Sequence, residues 1–178
     1  ELLKRIPNFK GQNEILIVCG KSKDNTLEKS HELANQFKEK NISVFEQTSK
    51  GKAGAVYEVL NNCSGELIAI LDADISVDPE TLNDFFEIIE NGYADFVNGT
   101  RLIYGKEKNA MRFLNSIGNL FFQFLISIVI KQKLTDSLCG TKIFKKENLD
   151  LLYDWQKTNI VKDPFGDFDL IFSAAYSG

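Results

Sequence analysis

Two aspartates one residue apart, Asp72 and Asp74, have the residue type and spacing best suited to chemistry in this chain. They follow the apolar run 66–71, which predicts a buried strand. Ligands bind beyond the carboxyl ends of strands in open parallel sheets, so both carboxylates could reach one Mg²⁺ or Mn²⁺ ion. Such a cation would bridge diphosphate oxygens and neutralise a departing nucleotide. The alternative interpretation is a pair of turn or helix-capping acids.

Two polar loops that each open a predicted helix are candidates for binding a nucleotide. The loop 22–26 contains Asp24, which we place near the base or ribose, although a helix-capping role is expected in either case. The loop 49–55 contains Lys52 between glycines, and backbone N–H groups and cations at a helix start favour phosphate. Its spacing is not that of a P-loop.

Alternating strands and helices must position these residues. Short apolar runs predict strands, and apolar residues at helical spacing predict helices. The predicted strands are 15–18, 42–45, 66–71 and 95–98, and the predicted helices are 26–40, 53–62, 78–90 and 109–131. Pro79 directly after Asp78 is typical of a helix start. The alternation predicts an α/β domain with a largely parallel sheet.

The composition indicates one globular domain over residues 1–178 and disfavours several functions. The chain is 43% hydrophobic and 26% charged, which is ordinary for a soluble domain. Its net charge of −4 disfavours nucleic-acid binding. The single histidine, His31, excludes a multi-histidine zinc site. The three cysteines are scattered, which indicates reduced thiols in the cytoplasm.

Taken in order, several motifs resemble the family-2 glycosyltransferases of the GT-A fold. They are Ser-Lys-Asp-Asn-Thr at 22–26, Gly-Lys-Ala-Gly-Ala at 51–55, Leu-Asp-Ala-Asp at 71–74, Asp-Pro-Glu-Thr-Leu at 78–82, Asn-Gly-Thr-Arg at 98–101 and Asp-Ser-Leu-Cys-Gly-Thr-Lys at 136–142. The later half is most similar to the branch that includes dolichyl-phosphate mannosyltransferase and other polyprenyl-phosphate glycosyltransferases. The resemblance implies a Rossmann-like fold for nucleotide-diphospho-sugar transferases, with a mostly parallel sheet flanked by helices.

The resemblance also implies roles for individual residues. Asp72 and Asp74 would bind Mg²⁺ or Mn²⁺, and Asp72 would also bind the diphosphate of the nucleotide-diphospho-sugar donor. Arg101 stands at the family's Gly-Ser-Arg position, with threonine in place of the serine, and would face the acceptor phosphate together with Arg112. Asp136 matches an acidic position near the reacting centre, and a turn acid is its alternative interpretation.

The chain departs from the family pattern in two respects. Cys19-Gly20-Lys21 stands where family members carry an acidic pair, which leaves the nucleotide base of the donor open. We also expect a fragment, because no strand precedes Glu1 and the segment 165–170 resembles a late helix that normally leads into a further strand.

The predicted helix 109–131 carries a broad apolar face that allows two interpretations. One is burial in the core or in a homodimer contact. The other is an interfacial helix, with its apolar side in lipid and Lys106, Lys108 and Arg112 near the headgroups. The run 120–130 is too short to cross a bilayer. The scattered cysteines predict a cytoplasmic protein, and the cytoplasmic face of a membrane is a location compatible with the second interpretation.

The resemblance predicts a metal-dependent, inverting sugar transfer to an acceptor, with polyprenyl phosphate favoured. A phosphate acceptor is already ionised near neutral pH and needs no strong base. A saccharide acceptor in cell-surface glycan synthesis would need one, and Asp136 is then the candidate. The remaining alternative is a catalytically inactive nucleotide-sugar-binding domain, which the missing acidic pair supports.

Overall fold

The computed structural model describes residues 1–21, 23–101, 110–158 and 163–176, with the side chains of 110–117 and 119 excepted. The strands within these residues are β1 (Ile15–Cys19), β2 (Ile42–Glu46), β3 (Leu67–Ile70), β4 (Phe96–Asn98) and β5 (Lys142–Lys145). The helices are α1 (Leu2–Arg5), α2 (Thr26–Gln36), α3 (Gly51–Leu60), α4 (Leu82–Glu90), α5 (Ala110–Ile130), α6 (Leu149–Thr158) and α7 (Asp167–Tyr176).

The strands form two small sheets, and the expectation of a mostly parallel sheet is not confirmed. β1 and β2 pair in parallel, with Ile15 opposite Ile42. In the second sheet β5 lies between β3 and β4 and pairs antiparallel with both. Two of the three ladders in the described residues are therefore antiparallel. The reason is that the chain returns through β5 only after the long helix α5 and runs against the earlier strands.

The predicted elements agree with the structure except at particular boundaries. The helix predicted at 26–40 is interrupted, because α2 ends at Gln36 and a 3₁₀ turn, Lys38–Lys40, follows it. The helix predicted at 78–90 begins with the 3₁₀ turn Pro79–Thr81. Asp78 does not cap that turn through its side chain and instead pairs with Arg5 at 2.7 Å. β5 was not predicted from the sequence, because this strand begins with a polar residue, Lys142, and therefore lacks a continuous apolar run.

The main core lies between the second sheet and the helices on one side of it. Its buried side chains are Leu60, Ile68, Phe144, Leu149, Leu152 and Leu170. A second cluster of Ile126, Leu134 and Ile171 joins α5 to α7. These clusters bring the carboxyl end of β3, the start of β5 and the start of α7 close together.

Among the side chains of α5 that the structure describes, which are those of residue 118 and of 120–130, Ile126 is 7% exposed and packs in the core with Ile130 beside it, as the core interpretation predicts. The exposed side chains, at 41 to 69% of their surface, are Leu120, Phe121, Phe122, Phe124, Leu125, Ile128 and Val129. No helix among the described residues is both long and apolar enough to cross a bilayer.

Candidate functional site

Asp72 and Lys52 form an ion pair where β3 and α3 meet. The apolar strand β3 ends at Ile70 and leads into Asp72, whereas Lys52 lies in the first turn of α3. Lys52 Nζ lies 2.8 Å from Asp72 Oδ1, and both side chains are partly exposed. Burial lowers the pKa of Lys52, but the hydrogen bond to Asp72 and the charge of Asp167 raise it on balance. The structure thus brings together two residues that the sequence assigned to the donor.

Gly140 covers this pair from the segment that leads into β5. A Cβ atom at position 140 would overlap the Asp72 carboxylate and the Lys52 ammonium group. The motif 136–142 therefore packs directly against Asp72, although nearly seventy residues separate them along the chain. Only glycine allows the backbone to approach the ion pair this closely.

A second, buried ion pair adjoins the first. Lys142 is fully buried, and its Nζ lies 2.7 Å from Oδ1 of Asp167, which is 5% exposed. Lys142 also donates a hydrogen bond to the carbonyl of Cys139. Burial lowers the pKa of Lys142 more than the charge of Asp167 raises it. The other oxygen of Asp167, Oδ2, lies 3.3 Å from Lys52 Nζ.

Sequence reasoning assigned no role to Asp167 or Lys142. A signal for Lys142 was nevertheless present, because this residue opens a strand whose next residues, Ile143 and Phe144, are apolar and buried. A lysine in such a strand requires a carboxylate partner. The sequence could not show which carboxylate that is.

Arg101 and Asp136 form a bidentate pair at the ends of neighbouring segments. Arg101 Nε lies 2.8 Å from Asp136 Oδ2, and Arg101 Nη2 lies 2.9 Å from Oδ1. The backbone N–H groups of Arg101 and Leu138 also donate to this carboxylate, at 3.1 and 3.0 Å. Asn98 fixes the segment by donating to the Asp136 carbonyl at 2.8 Å.

The electrostatics of this pair make Asp136 a poor proton acceptor. Asp136 is fully buried, which raises its pKa, but hydrogen bonds from the Arg101 side chain and from backbone N–H groups lower it on balance. The pKa of Arg101 is raised by its hydrogen bond to Asp136, against the effect of burial. The charge of Asp72 also raises it, so the two pairs lie within electrostatic reach of each other.

Asp74 and Asp24 make local contacts at the starts of their loops. Asp74 is exposed and accepts a hydrogen bond from Ser76 N at 3.0 Å. Ile75, which lies between Asp74 and Ser76, has a φ of 54°. This backbone conformation is unfavourable for a β-branched residue and is typical of strained turns at functional sites. Asp24 accepts hydrogen bonds from Thr26 N and Oγ1, as expected for a residue at a helix start. The Arg112 side chain, like Ser22, Lys106 and Lys108, lies outside the described residues.

Contacts within the protein hold the loop before α3, and its predicted role in binding phosphate stays a prediction. Glu58 accepts hydrogen bonds from the backbone N–H of Thr48, at 3.0 Å, and of Ser49. The Ala53 N–H donates to the Pro164 carbonyl at 3.3 Å. The N–H groups of Thr48, Ser49 and Ala53 therefore already have acceptors within the protein.

The carboxylate oxygens of Asp72 and Asp74 are ligands of the type that Mg²⁺ and Mn²⁺ prefer. Mg²⁺ is commonly bound by one or two carboxylates together with substrate phosphates and water. Within the part of the chain that the structure describes, no three His, Cys, Asp or Glu side chains converge as a metal site. The further ligands would therefore come from the phosphates of a donor and from water.

Comparison with known proteins gives a consistent result. Residues 1–152 match the family described as Glycosyl transferase family 2. The chain is similar to the Dolichol-phosphate mannosyltransferase of Pyrococcus furiosus, with 36% identity over 108 residues, 59% of this chain and 30% of that protein. It is 29% identical to the Dolichyl-phosphate hexose transferase of Haloferax volcanii over 148 residues, 83% of this chain and 59% of that protein.

A third relative is the Dolichyl-phosphate beta-glucosyltransferase of Trichomonas vaginalis. The identity is 33% over 144 residues, which cover 75% of this chain and 41% of that protein. The chain spans less than two thirds of the length of each of these three relatives.

Proposed function

Because this chain belongs to glycosyl transferase family 2, we propose that it takes part in transferring a sugar from a nucleotide-diphospho-sugar to a polyprenyl phosphate. The observation that carries the proposal is the Arg101–Asp136 pair beside Asp72. It offers a fixed cation for an anionic acceptor and leaves Asp136 unsuited to act as a base. The names of the three relatives support the same acceptor class, since each contains dolichol or dolichyl phosphate.

On the donor side, Asp72, Asp74 and Lys52 would hold the diphosphate. Mg²⁺ or Mn²⁺ bound to the two aspartates would neutralise the charge of the leaving nucleotide. Lys52 would add a cation at the start of α3, where the helix dipole also favours phosphate. Asp24, at the start of α2, stays our candidate for contacting the base or ribose.

On the acceptor side, Arg101 would bind the phosphate by charge-assisted hydrogen bonds. The Asp136 carboxylate accepts hydrogen bonds from Nε and from one N–H of Nη2 of Arg101, and these two bonds fix the plane of the guanidinium group. The N–H groups that Asp136 does not use would meet the acceptor, with Arg112 as a second cation. The ionised phosphate would attack the anomeric carbon in line with the departing diphosphate, which gives an inverting transfer.

A saccharide acceptor is the less favoured alternative. A hydroxyl nucleophile needs a general base, and efficient bases have a pKa near the working pH. Asp136 has a pKa below its ordinary value and donors on both carboxylate oxygens.

We also propose that α5 contacts a membrane surface, at its cytoplasmic face. The support is the exposed apolar face of Leu120 to Val129 and the lipid nature of a polyprenyl acceptor. Exposed apolar patches of this kind mark interaction sites in soluble domains. A homodimer contact through the same face is the alternative, and vesicle binding together with the oligomeric state separates the two.

The test is transfer of label from radioactive nucleotide sugars to a short polyprenyl phosphate in the presence of Mn²⁺. We expect label in the organic phase with the wild type, and a loss of at least about a hundredfold with Asp72→Asn and Arg101→Gln. Asp84→Asn, which changes an exposed aspartate of α4, is the matched control and should retain activity. Label that moves only to saccharide acceptors would reject the proposed acceptor. Metal-dependent nucleotide-sugar binding without any transfer would indicate the inactive binding domain.

A further inference from the structure

The Lys52 ammonium group lies between two carboxylates. It is 2.8 Å from Asp72 Oδ1 and 3.3 Å from Asp167 Oδ2. Asp72 belongs to the proposed donor site, whereas Asp167 opens α7 and has no assigned role. Lys52 therefore has a second anionic partner within reach that needs no movement of the backbone.

Asp167 is held in place from the side opposite Lys52. The fully buried Lys142 lies 2.7 Å from its Oδ1. Buried ion pairs have little freedom, because breaking one leaves an uncompensated charge in a medium of low polarity. Lys142 thus fixes the carboxylate of Asp167 and leaves Oδ2 directed at Lys52.

A divalent cation at Asp72 would have to compete with the Lys52 ammonium group for the same carboxylate. The two cations repel each other strongly at a separation of a few ångströms when partly shielded from water. A site in which Lys52 had only Asp72 as a partner would oppose metal binding. A second fixed carboxylate reduces that opposition without abolishing it, because the ammonium keeps a partner when it leaves Asp72.

We propose that Asp167 is a positioning residue that retains the Lys52 ammonium group when a divalent cation occupies Asp72. In the structure the Lys52 ammonium group pairs with Asp72, and once a metal ion occupied Asp72 it would keep Asp167 as its partner. The inference rests on the proposed role of Asp72 as a metal ligand. It adds Asp167 and its partner Lys142 to the residues on which metal affinity depends.

The experiment measures the affinity for Mn²⁺ alone, by electron paramagnetic resonance of the free ion, without donor or acceptor. Removing the competing ammonium in Lys52→Met should tighten Mn²⁺ binding by about tenfold. Asp167→Asn should weaken it by about tenfold, because Lys52 then has Asp72 as its remaining carboxylate. Lys50→Met, which removes the same charge from the exposed neighbouring position, is the control and should change affinity less than about twofold.

A double variant separates this role from a structural one. If Asp167 acts through Lys52, Asp167→Asn should have little further effect on Mn²⁺ affinity in the Lys52→Met background. Thermal unfolding of each variant identifies any that fail to fold, and Lys52→Met alone keeps the proposal testable. Equal effects of Asp167→Asn in both backgrounds, or equal affinities of Lys52→Met and Lys50→Met, would overturn the inference and leave the proposed function standing. A wild type that binds no Mn²⁺ would overturn the inference together with the metal site, while label transfer tests the sugar transfer separately.

Discussion

Among single residues, Asp136 is the one whose interpretation the structure changes most. The sequence offered it as a base for a hydroxyl acceptor or as a turn acid. The structure buries it completely and gives its carboxylate hydrogen bonds from Arg101 and from the backbone of Leu138. These contacts favour a role in orienting Arg101.

Asp136→Asn tests this role directly. We expect the KM for polyprenyl phosphate to rise about tenfold, because an amide cannot accept both guanidinium hydrogen bonds and Arg101 loses its fixed orientation. The acidic limb of the pH profile of kcat should not move. Asp95→Asn, which alters an exposed ion pair with Lys145, is the control. A fall in kcat of about a hundredfold or more with loss of the acidic limb would instead identify Asp136 as the base.

Gly140 gives a second prediction for a single residue. In Gly140→Ala the new methyl group would displace the Asp72 carboxylate and the Lys52 ammonium, so Mn²⁺-dependent binding of a nucleotide sugar should weaken about tenfold or more. The unfolding free energy should fall by about 1–3 kcal/mol, as is usual for overpacking. Gly118→Ala is the matched control, because a Cβ atom there meets nothing within 4 Å. That variant should be neutral or more stable by up to about 1 kcal/mol. Unchanged donor binding in Gly140→Ala would contradict the close contact.

At the level of elements, the loop that delivers Lys52 depends on a carboxylate from within α3. Hydrogen bonds from the Thr48 side chain and from the backbone of Thr48 and Ser49 lower the pKa of Glu58 to about 2, against the opposing effect of desolvation. The folded-state pKa therefore lies below the ordinary value of 4.5. Such a group stabilises the fold at pH values above 4.5, and the contribution is lost as the pH falls towards 2.

Glu58→Gln should therefore lower the melting temperature at pH 7, and the difference from wild type should shrink as the pH falls from 4.5 towards 2. Melting curves followed by circular dichroism across this range provide the measurement. Glu28→Gln, at an exposed position in the first turn of α2, is the control. A difference that stays constant with pH would show that Glu58 acts through packing and not through its charge.

The exposed apolar side chains of α5 allow a prediction about membrane binding. Phe124→Gln should weaken sedimentation with vesicles of phosphatidylcholine and phosphatidylglycerol by about threefold or more, because the ring is 63% exposed on this face. Tyr93→Gln removes an aromatic ring that is 82% exposed after α4 and should have no effect. Equal effects of both changes would argue against a membrane-facing α5, and a concentration-dependent dimer that Phe124→Gln disrupts would favour the homodimer.

For the molecule as a whole, α7 connects parts of the fold that are distant in sequence. Asp167 reaches Lys52 of α3 and Lys142 of β5. Asp169 accepts hydrogen bonds from Tyr57 of α3 at 3.0 Å and from Trp155 of α6 at 3.1 Å. One short helix thereby connects α3, β5 and α6 around the proposed donor site.

Asp169→Asn should lower the unfolding free energy by about 1–3 kcal/mol, because the amide replaces one of two acceptor oxygens with a donor and leaves a buried group unpaired. Chemical denaturation measures the change. Asp154→Asn is the control, since its ion pair with Lys157 is largely exposed and should contribute less than about 1 kcal/mol. A loss in Asp169→Asn no larger than in the control would mean that the ion pairs of Asp167 and the apolar contacts of α7, such as the stacking of Trp155 on Phe172, hold this helix without a contribution from Asp169.

The sequence predicted the parts of this protein that depend on local pattern. The strands β1 to β4 follow from short apolar runs, and the motifs from 22–26 to 136–142 indicated the family. The donor class and the roles of Asp72 and Asp74 stay predictions. Local burial and turn formation act over a few residues, so a linear pattern carries this information.

The tertiary structure alone decided which distant residues meet. The antiparallel insertion of β5 between β3 and β4 places Gly140 on Asp72, and the packing of α7 places Asp167 between Lys52 and Lys142. The same packing pairs Asp136 with Arg101, and it leaves most of the described apolar side chains of α5 between Leu120 and Val129 exposed. Pairings of this kind result from competition among all packing arrangements of the chain, and no periodicity along the sequence encodes their outcome.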